Sequence, residues 1–152
     1  ALQSLSLNDE DCAKVTEARI VSTILHPTTD KILCIAGDKT GVMGIWDVNH
    51  GKQRASSYSA SSVIDTNLVN PEGVYKYRPH IANITTLHCW ESSASKIYST
   101  SYDGTVRCLD VNAEQFDLIH EVGEELFDND TMIHDAAYLR DGSSILLGLG
   151  GP

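Results

Sequence analysis

A segment of thirty residues occurs twice in this chain, and the second copy follows the first at a constant offset of 63 residues. Residues 20–49 align with residues 83–112 without a gap, and the apolar residues at 21, 24, 34, 43 and 46 fall on apolar residues. The identical pairs are Thr23 and Thr86, Gly41 and Gly104, Asp47 and Asp110, Val48 and Val111, and Asn49 and Asn112. One repeat of this size cannot bury a core alone, so the pattern predicts repeats that stack on one another.

Each copy consists of short apolar runs separated by turn residues, which is typical of antiparallel strands. Gly41 and Gly104 close the tightest turns, and the Asp103-Gly104 pair between two strand-like runs is a strong hairpin signal. The strands predicted for the first copy cover 20–25, 32–36, 42–48 and 74–77. Those predicted for the second cover 84–89, 96–100, 105–111 and 116–122. A third copy predicts strands at 133–139 and 144–149 around a turn at 140–142.

The repeat becomes one blade of a propeller once a Ser-rich insertion is set aside. Without most of the predicted loop at 49–73, the period falls to about 40 residues, which suits a four-stranded blade. The predicted units are an N-terminal segment or outer strand (1–19), a first blade with its inserted loop (20–79), a second blade (80–122), and a linker with a truncated third blade (123–152). We therefore expect part of a longer ring, with about two complete blades and the start of a third.

Charge and hydropathy limit the classes of function. Lysine and arginine number 11 against 21 acidic residues in 152, a net charge of −10. This balance argues against a surface that is basic throughout, although a local basic patch is compatible with it. No apolar run approaches the roughly 20 residues of a membrane span, so we predict no membrane partner.

The ends of the third strands carry a family signature. Ile45-Trp46-Asp47 ends the third strand of the first copy, and Leu109-Asp110 repeats it in the second. With the strand pattern, this resembles the WD40 β-propeller family. The resemblance implies an all-β fold, a WD40 β-propeller fragment belonging to a ring of seven blades.

A narrower resemblance rests on longer stretches, which are Lys14-Val15, Arg19-Ile20, His26-Pro27, 36–41 and 99–110. They are similar to the WD repeat-containing protein 76 family, whose fungal members belong to the damaged-DNA-binding-protein-2-like group. The resemblance implies a nuclear protein of DNA metabolism and the damage response. It also implies binding to DNA, with some preference for ultraviolet-damaged DNA, and service as a substrate receptor for a cullin-4 ubiquitin ligase.

Neither a catalytic nor a metal site is predicted, and no cofactor is expected. The sequence lacks a phosphate-binding glycine loop and a Gly-x-Ser-x-Gly motif, and its six histidines are scattered. His88 and Cys89 are adjacent in a predicted strand, so their side chains point to opposite faces.

Candidate DNA-binding residues lie at one rim of the predicted propeller. Arg19 precedes a first strand and Lys39 lies in the next turn between strands, and both reach the same rim because the strands alternate in direction. In the damaged-DNA-binding relatives, basic residues matching these two approach the DNA backbone. Tyr102 is the repeat equivalent of Lys39, so it either stacks on a base or packs on a neighbouring turn. Arg78 and His80, in the connection to the second blade, are further candidates.

The opposite rim and the charge leave an alternative open. Relatives that bind the cullin-4 adaptor often carry Trp-Asp-x-Arg there, but this chain has Asn49 and Asn112 in place of the arginine. Asp47 and Asp110 are therefore expected to accept hydrogen bonds within their turns. The acidic segment at 121–130 would repel DNA near the first rim. The alternative function is a protein-interaction scaffold whose rim reads a histone tail or another peptide.

Overall fold

The computed structural model describes residues 9–50, 73–122, 131–139 and 142–151. Residues 1–8 of the predicted N-terminal segment, most of the inserted loop, the linker at 123–130 and part of the turn at 140–142 lie outside these residues. Ten strands follow one another in the described part, with 3₁₀ turns at Asp9–Asp11 and Glu91–Ser93. The strands are β1 (Ile20–Leu25), β2 (Leu33–Asp38), β3 (Met43–Asp47), β4 (Val74–Tyr77), β5 (Ile84–His88), β6 (Lys96–Ser101), β7 (Thr105–Asp110), β8 (Gln115–Glu121), β9 (Met132–Tyr138) and β10 (Ile145–Gly150).

The strands form antiparallel sheets in chain order. β1 to β4 make one four-stranded sheet, β5 to β8 make a second, and β9 pairs with β10. Each four-stranded sheet is one blade, so the expected all-β propeller fragment is confirmed. None of the helices in the described residues is long and apolar enough to cross a membrane.

The predicted strand bounds hold to within one residue except at the end of β2. β1 and β4 begin and end as predicted, whereas β2 continues two residues past its predicted end at residue 36. Gly37 and Asp38 stay in the ladder because they pair with Ser22 and Ile20 of β1. A glycine there reads as a stop signal in the sequence, but an adjacent strand satisfies its backbone groups.

A shared core joins the first two blades. Ile35 and Met43 of the first sheet and Ile84 and Leu87 of the second belong to one buried cluster. Burial of an isoleucine side chain contributes about 1.5–3 kcal/mol, so this contact is a main source of blade stacking. Gly37 permits the close approach, because a Cβ atom there would lie 2.6 Å from the Cγ2 atom of Ile84.

The other face of the first blade is covered by the segment that precedes β1. Val15 packs with Ala36 and Val74 in a second buried cluster, to which Trp46 adds a partly buried ring. A Cβ atom at Gly44 would lie 2.3 Å from the Val15 carbonyl oxygen, so the segment lies directly on β3. The start of the described chain is thereby fixed against the blade, and it delivers Arg19 to the end of β1.

Polar and aromatic contacts join the second blade to β9. The Thr86 hydroxyl donates to Asp135 at 2.9 Å and accepts from the Ala136 amide at 3.2 Å. The Trp90 indole donates to the Leu139 carbonyl at 2.9 Å. The rings of His88 and Tyr138 stack with 4.3 Å between centroids. The sheet of β9 and β10 therefore packs against the second blade, as the second blade packs against the first.

Candidate functional site

One end of the two blades carries most of the predicted site residues. We call it the upper rim and define it by Arg19, the turn at 38–42, the connection at 78–83 and the turn at 102–104. Antiparallel pairing places the start of β1 opposite the end of β2, as in the pair Ile20 and Asp38. The lower rim is the opposite end, where Asp47 and Asp110 end β3 and β7.

Hydrogen bonds bring three cationic residues together at the upper rim. The Lys39 amide donates to the Arg19 carbonyl at 3.1 Å, which fixes the two residues side by side. The Arg78 guanidinium donates to the Thr40 carbonyl at 3.3 Å, so it lies against the same turn. Arg19, Lys39 and Arg78 are all exposed. Three predicted residues that are distant in sequence thus form one basic cluster.

Two lysines extend this basic cluster around one acid. Lys14 and Lys76 both form ion pairs with Glu17, and the Lys76 distance is 2.8 Å. Hydrogen bonds from Lys14 and Lys76 lower the pKa of Glu17 to about 2, so this carboxylate stays ionised. At the first blade, five cations in and beside the upper rim lie near two acids, Glu17 and Asp38. The second blade adds Asp103 and the exposed Glu121, which ends β8 at the same rim. Among the described residues, the charge is therefore positive at the first-blade part of the rim and negative at the second-blade part.

Asp38 holds the turn that presents Lys39. One oxygen of its carboxylate accepts from the amide and the hydroxyl of Thr40, both at 2.8 Å, and from the Val42 amide at 3.1 Å. Burial opposes the charge, but hydrogen bonds from Thr40 and Val42 lower the pKa of the Asp38 carboxyl. Because the turn is closed from within, the Lys39 side chain is left in solvent.

Tyr102 occupies the equivalent turn of the second blade but is only half exposed. Its amide donates to the Asn83 carbonyl at 3.0 Å, one residue beyond the repeat equivalent of Arg19, whose carbonyl accepts from the Lys39 amide in the first blade. Its ring lies 4.9 Å from the ring of His134 in β9. The packing alternative therefore describes this side chain better than a free stacking platform.

His80 is the one predicted site residue that the structure withdraws from the surface. It is 2% exposed, with Nε2 2.9 Å from the Ser99 hydroxyl and Nδ1 3.1 Å from Asp103. Thr105 also lies 3.0 Å from Nδ1. An imidazole enclosed in this way reaches no phosphate, so His80 is removed from the candidate interface. The sequence did not indicate its burial because the partners are on later strands.

Ser99, His80 and Asp103 have the connectivity of a hydrolytic triad, yet their burial assigns them a structural role. Ser99 is fully buried, so no substrate reaches its hydroxyl. A carboxylate only accepts hydrogen bonds, so Nδ1 donates to Asp103. Burial opposes the charge on Asp103, but hydrogen bonds from His80 and Thr105 and the attraction of His80 hold its pKa well below the usual value. The network fixes the connection before β5 to the turn after β6.

Ile81 is a rim residue that sequence reasoning missed. Its side chain is 84% exposed, while its amide donates to Asp103 at 3.1 Å. The residue lies in a connection without periodicity, so the sequence carried no signal for its orientation. It directly follows the buried His80 in the connection that also carries Arg78, which makes it part of the surface that a ligand of the upper rim would meet.

The two aspartates of the lower rim accept hydrogen bonds within their own turns. Asp47 accepts from the Asn49 amide at 3.1 Å and pairs with Lys31 at 3.0 Å. Asp110 accepts from the amides of Asn112 and Ala113. The prediction that both aspartates serve turn hydrogen bonds is confirmed. Within the described ranges, no group of three His, Cys, Asp or Glu residues is placed to hold a metal ion.

Comparison with known proteins finds relatives across most of the chain, although no family model matches. WD repeat-containing protein 76 of Xenopus laevis is 32% identical over 126 residues, 83% of this chain and 19% of that protein. DNA damage-binding protein CMR1 of Vanderwaltozyma polyspora is 31% identical over 134 residues, 88% of this chain and 23% of that protein. CMR1 of Coccidioides immitis is 37% identical over 98 residues, 64% of this chain and 18% of that protein. The chain thus spans about a fifth of the length of these relatives.

Proposed function

Because this chain is a WD40 β-propeller segment related to WD repeat-containing protein 76 and the fungal DNA damage-binding proteins, we propose that it acts in the DNA damage response in the nucleus and binds duplex DNA through its upper rim. Arg19, Lys39 and Arg78 contact phosphates in this proposal. The main support for this proposal is that hydrogen bonds place all three cationic residues at one rim.

The chemistry of the cluster suits phosphate. Arginine offers a planar fork of donors and lysine a compact charge, and both position a protein on the duplex without reading its sequence. Arg19 and Lys39 form no ion pair among the described residues, so their charges are available to a ligand. The Arg78 guanidinium donates one hydrogen bond to the Thr40 carbonyl, and its other N–H groups can donate to a ligand.

The net charge of −10 does not exclude this contact, because salt limits its reach. At physiological ionic strength the screening length is about 8 Å, so charges on distant parts of the surface contribute little at the rim. The contact is instead governed by the charges near it, which among the described residues are five cations and two acids at the first-blade part of the rim. A strong dependence on salt follows, since each phosphate contact releases counterions.

The experiment compares the intact protein with a variant carrying Arg19→Glu and Lys39→Glu, using fluorescence anisotropy of a labelled duplex at several salt concentrations. We expect the variant to bind at least about tenfold more weakly, with a salt slope smaller by about 2. Lys96→Glu is the matched control, because Lys96 is exposed at the lower end of β6. Equal affinity of the double variant and the parent would contradict the proposal.

A preference for ultraviolet-damaged duplex belongs to the same proposal. It is supported by the name of the fungal relatives, which are DNA damage-binding proteins. The same assay with irradiated and unirradiated duplex of one sequence measures the preference directly. Equal affinity for the two duplexes would remove the damage-specific part of the proposal and leave general DNA binding.

We also propose service as a cullin-4 substrate receptor. The lower-rim turns of this chain are not expected to bind the adaptor. Asp47 and Asp110 are held by local hydrogen bonds, and Asn49 and Asn112 replace the arginine of the adaptor-binding motif. We therefore expect Asn49→Ala with Asn112→Ala to leave adaptor binding unchanged. Loss of adaptor capture in that variant would place the contact at these turns after all.

A protein-interaction scaffold is the second candidate. The net charge of −10 is compatible with it, and the exposed Glu121 at the second-blade part of the upper rim favours it, because an acid there would attract a basic histone tail. Competition separates the two functions. If DNA and a histone tail peptide both bind the upper rim, Arg19→Glu with Lys39→Glu weakens DNA and strengthens the basic peptide. If the protein is a scaffold alone, duplex DNA at physiological salt does not displace the peptide.

A further inference from the structure

We propose that Ile81 is an apolar wedge that enters the base stack of a duplex held on the upper rim, so that the rim favours duplexes with an unstacked or bulged step. This inference rests on the proposed DNA-binding function and assigns a residue to its selectivity. It concerns a side chain that the sequence pattern did not single out.

The exposure of Ile81 is the first observation. At 84% it exceeds that of every other large hydrophobic side chain in the described residues, the next being Leu25 at 71%. Leu25 is at the lower end of β1, away from the cationic cluster. Ile81 instead lies three residues after Arg78, whose guanidinium contacts the turn that carries Lys39. One short connection therefore carries both an exposed apolar side chain and a cation suited to phosphate.

The backbone of Ile81 is anchored on both sides, which is the second observation. Its own amide donates to Asp103 at 3.1 Å, in the turn of the second blade. The preceding His80 amide donates to the Gly41 carbonyl at 3.3 Å, in the turn of the first blade. The side chain thus projects from a short segment held between two blades and cannot fold back into the core.

Gly41 shows how closely this segment lies on the first blade. A Cβ atom at Gly41 would be 2.2 Å from the His80 carbonyl oxygen and 3.0 Å from that of Ala82. Both neighbours of Ile81 therefore rest on the same glycine. A side chain that enters the base stack needs a rigid backbone. The contact with Gly41 and the hydrogen bond to Asp103 provide that rigidity.

Tyr102 is the other apolar candidate at this rim, and its surroundings make it less suitable. Its ring contacts His134 of the next sheet, so insertion into DNA would cost that contact. Ile81 has no comparable burial to lose. Isoleucine is among the side chains that proteins insert between base steps, where they unstack the bases and kink the duplex.

Selectivity follows from the energy of unstacking. A paired, stacked step must be opened before a side chain enters, whereas a bulged or damaged step is already partly open. A wedge therefore adds affinity for the second kind of duplex while the cationic cluster binds both kinds alike. Phosphate contacts determine the salt slope and Ile81 determines the preference, so the two contributions can be measured separately.

The test uses the intact protein and two duplexes of one sequence, one fully paired and one with a single-nucleotide bulge beside a 2-aminopurine. We expect the parent to prefer the bulged duplex by about tenfold and to increase 2-aminopurine fluorescence, which reports unstacking. Ile81→Ser should lose the preference and the fluorescence change while keeping the salt slope. Ile81→Phe should retain both, and Leu25→Ser is the matched control at the lower rim.

The outcomes separate this inference from the function beneath it. If Ile81→Ser keeps the preference and the fluorescence change while Arg19→Glu with Lys39→Glu weakens binding, the wedge is overturned and DNA binding stands. If the double charge variant binds as the parent does, the phosphate contacts proposed for the upper rim fail. Loss of both signals in Ile81→Ser, with the parent's salt slope and parent-like behaviour of Leu25→Ser, supports the wedge.

Discussion

The imidazole of His80 lies 3.1 Å from a carboxylate oxygen of Asp103, and both side chains are nearly or fully shielded from solvent beneath the upper rim. The contact joins the connection before β5 to the turn after β6. It also fixes Ile81, whose amide donates to the same carboxylate. The stability of the second blade and the presentation of the rim therefore depend on one acid.

Replacing Asp103 with asparagine should destabilise the intact protein by about 2–4 kcal/mol, because a buried imidazole loses its charged acceptor. Denaturant unfolding measures the loss. Asp110→Asn is the control, since this aspartate holds a more exposed turn at the lower rim and should cost less than about 1 kcal/mol. Similar losses in the two variants would show that His80 does not depend on Asp103.

Acid should remove the contribution of Asp103 to stability. The folded-state pKa of this carboxyl is depressed below its ordinary value, so the unfolded state takes up protons first as the pH falls. Its stabilising effect is complete well above pH 4 and is lost as the pH falls from about 5 towards the folded-state pKa. Unfolding free energies at about pH 7 and pH 4 should differ less in Asp103→Asn than in the parent. An unchanged pH dependence in the variant would contradict this assignment.

Gly41→Ala and Gly104→Ala form a matched pair, because both glycines have positive φ, at 85° and 76°. Gly104→Ala should cost about 1 kcal/mol of backbone strain, since its nearest neighbour would be 3.3 Å away. Gly41→Ala should cost about 1–3 kcal/mol more, because its Cβ atom would collide with the His80 backbone. Unfolding free energies measure both losses. Equal losses would mean that the blades separate easily at this point.

Removing the third cation of the cluster should affect DNA and not folding. Arg78→Gln is expected to lower affinity for every duplex by a similar factor and to reduce the salt slope by about 1. Stability should change by less than about 0.5 kcal/mol, since the side chain is exposed. Lys96→Gln at the lower rim is the control and should change neither quantity. A sequence-dependent loss with Arg78→Gln would indicate base contact instead of phosphate contact.

Several parts of the fold and site were predictable because their signals are local. The short strand-like runs at Ile20–Leu25 and Val74–Tyr77 and the turn chemistry at Gly41 and Gly104 predicted strands and hairpins that the structure contains. The rim shared by Arg19 and Lys39 followed from strand direction alone. Burial at the contacts between blades was not predictable, because it depends on residues that the chain brings together only after folding.

An all-β stack of repeated blades follows from the amino-acid sequence, since the period, the apolar pattern and the turn residues are properties of short segments. Which side chains of the connection between the blades face water depends instead on tertiary contacts. His80 turns inward to Ser99 and Asp103, and its neighbour Ile81 turns outward. Neither orientation follows from an aperiodic connection, because Gly41 on one blade and Asp103 on the other together fix that backbone.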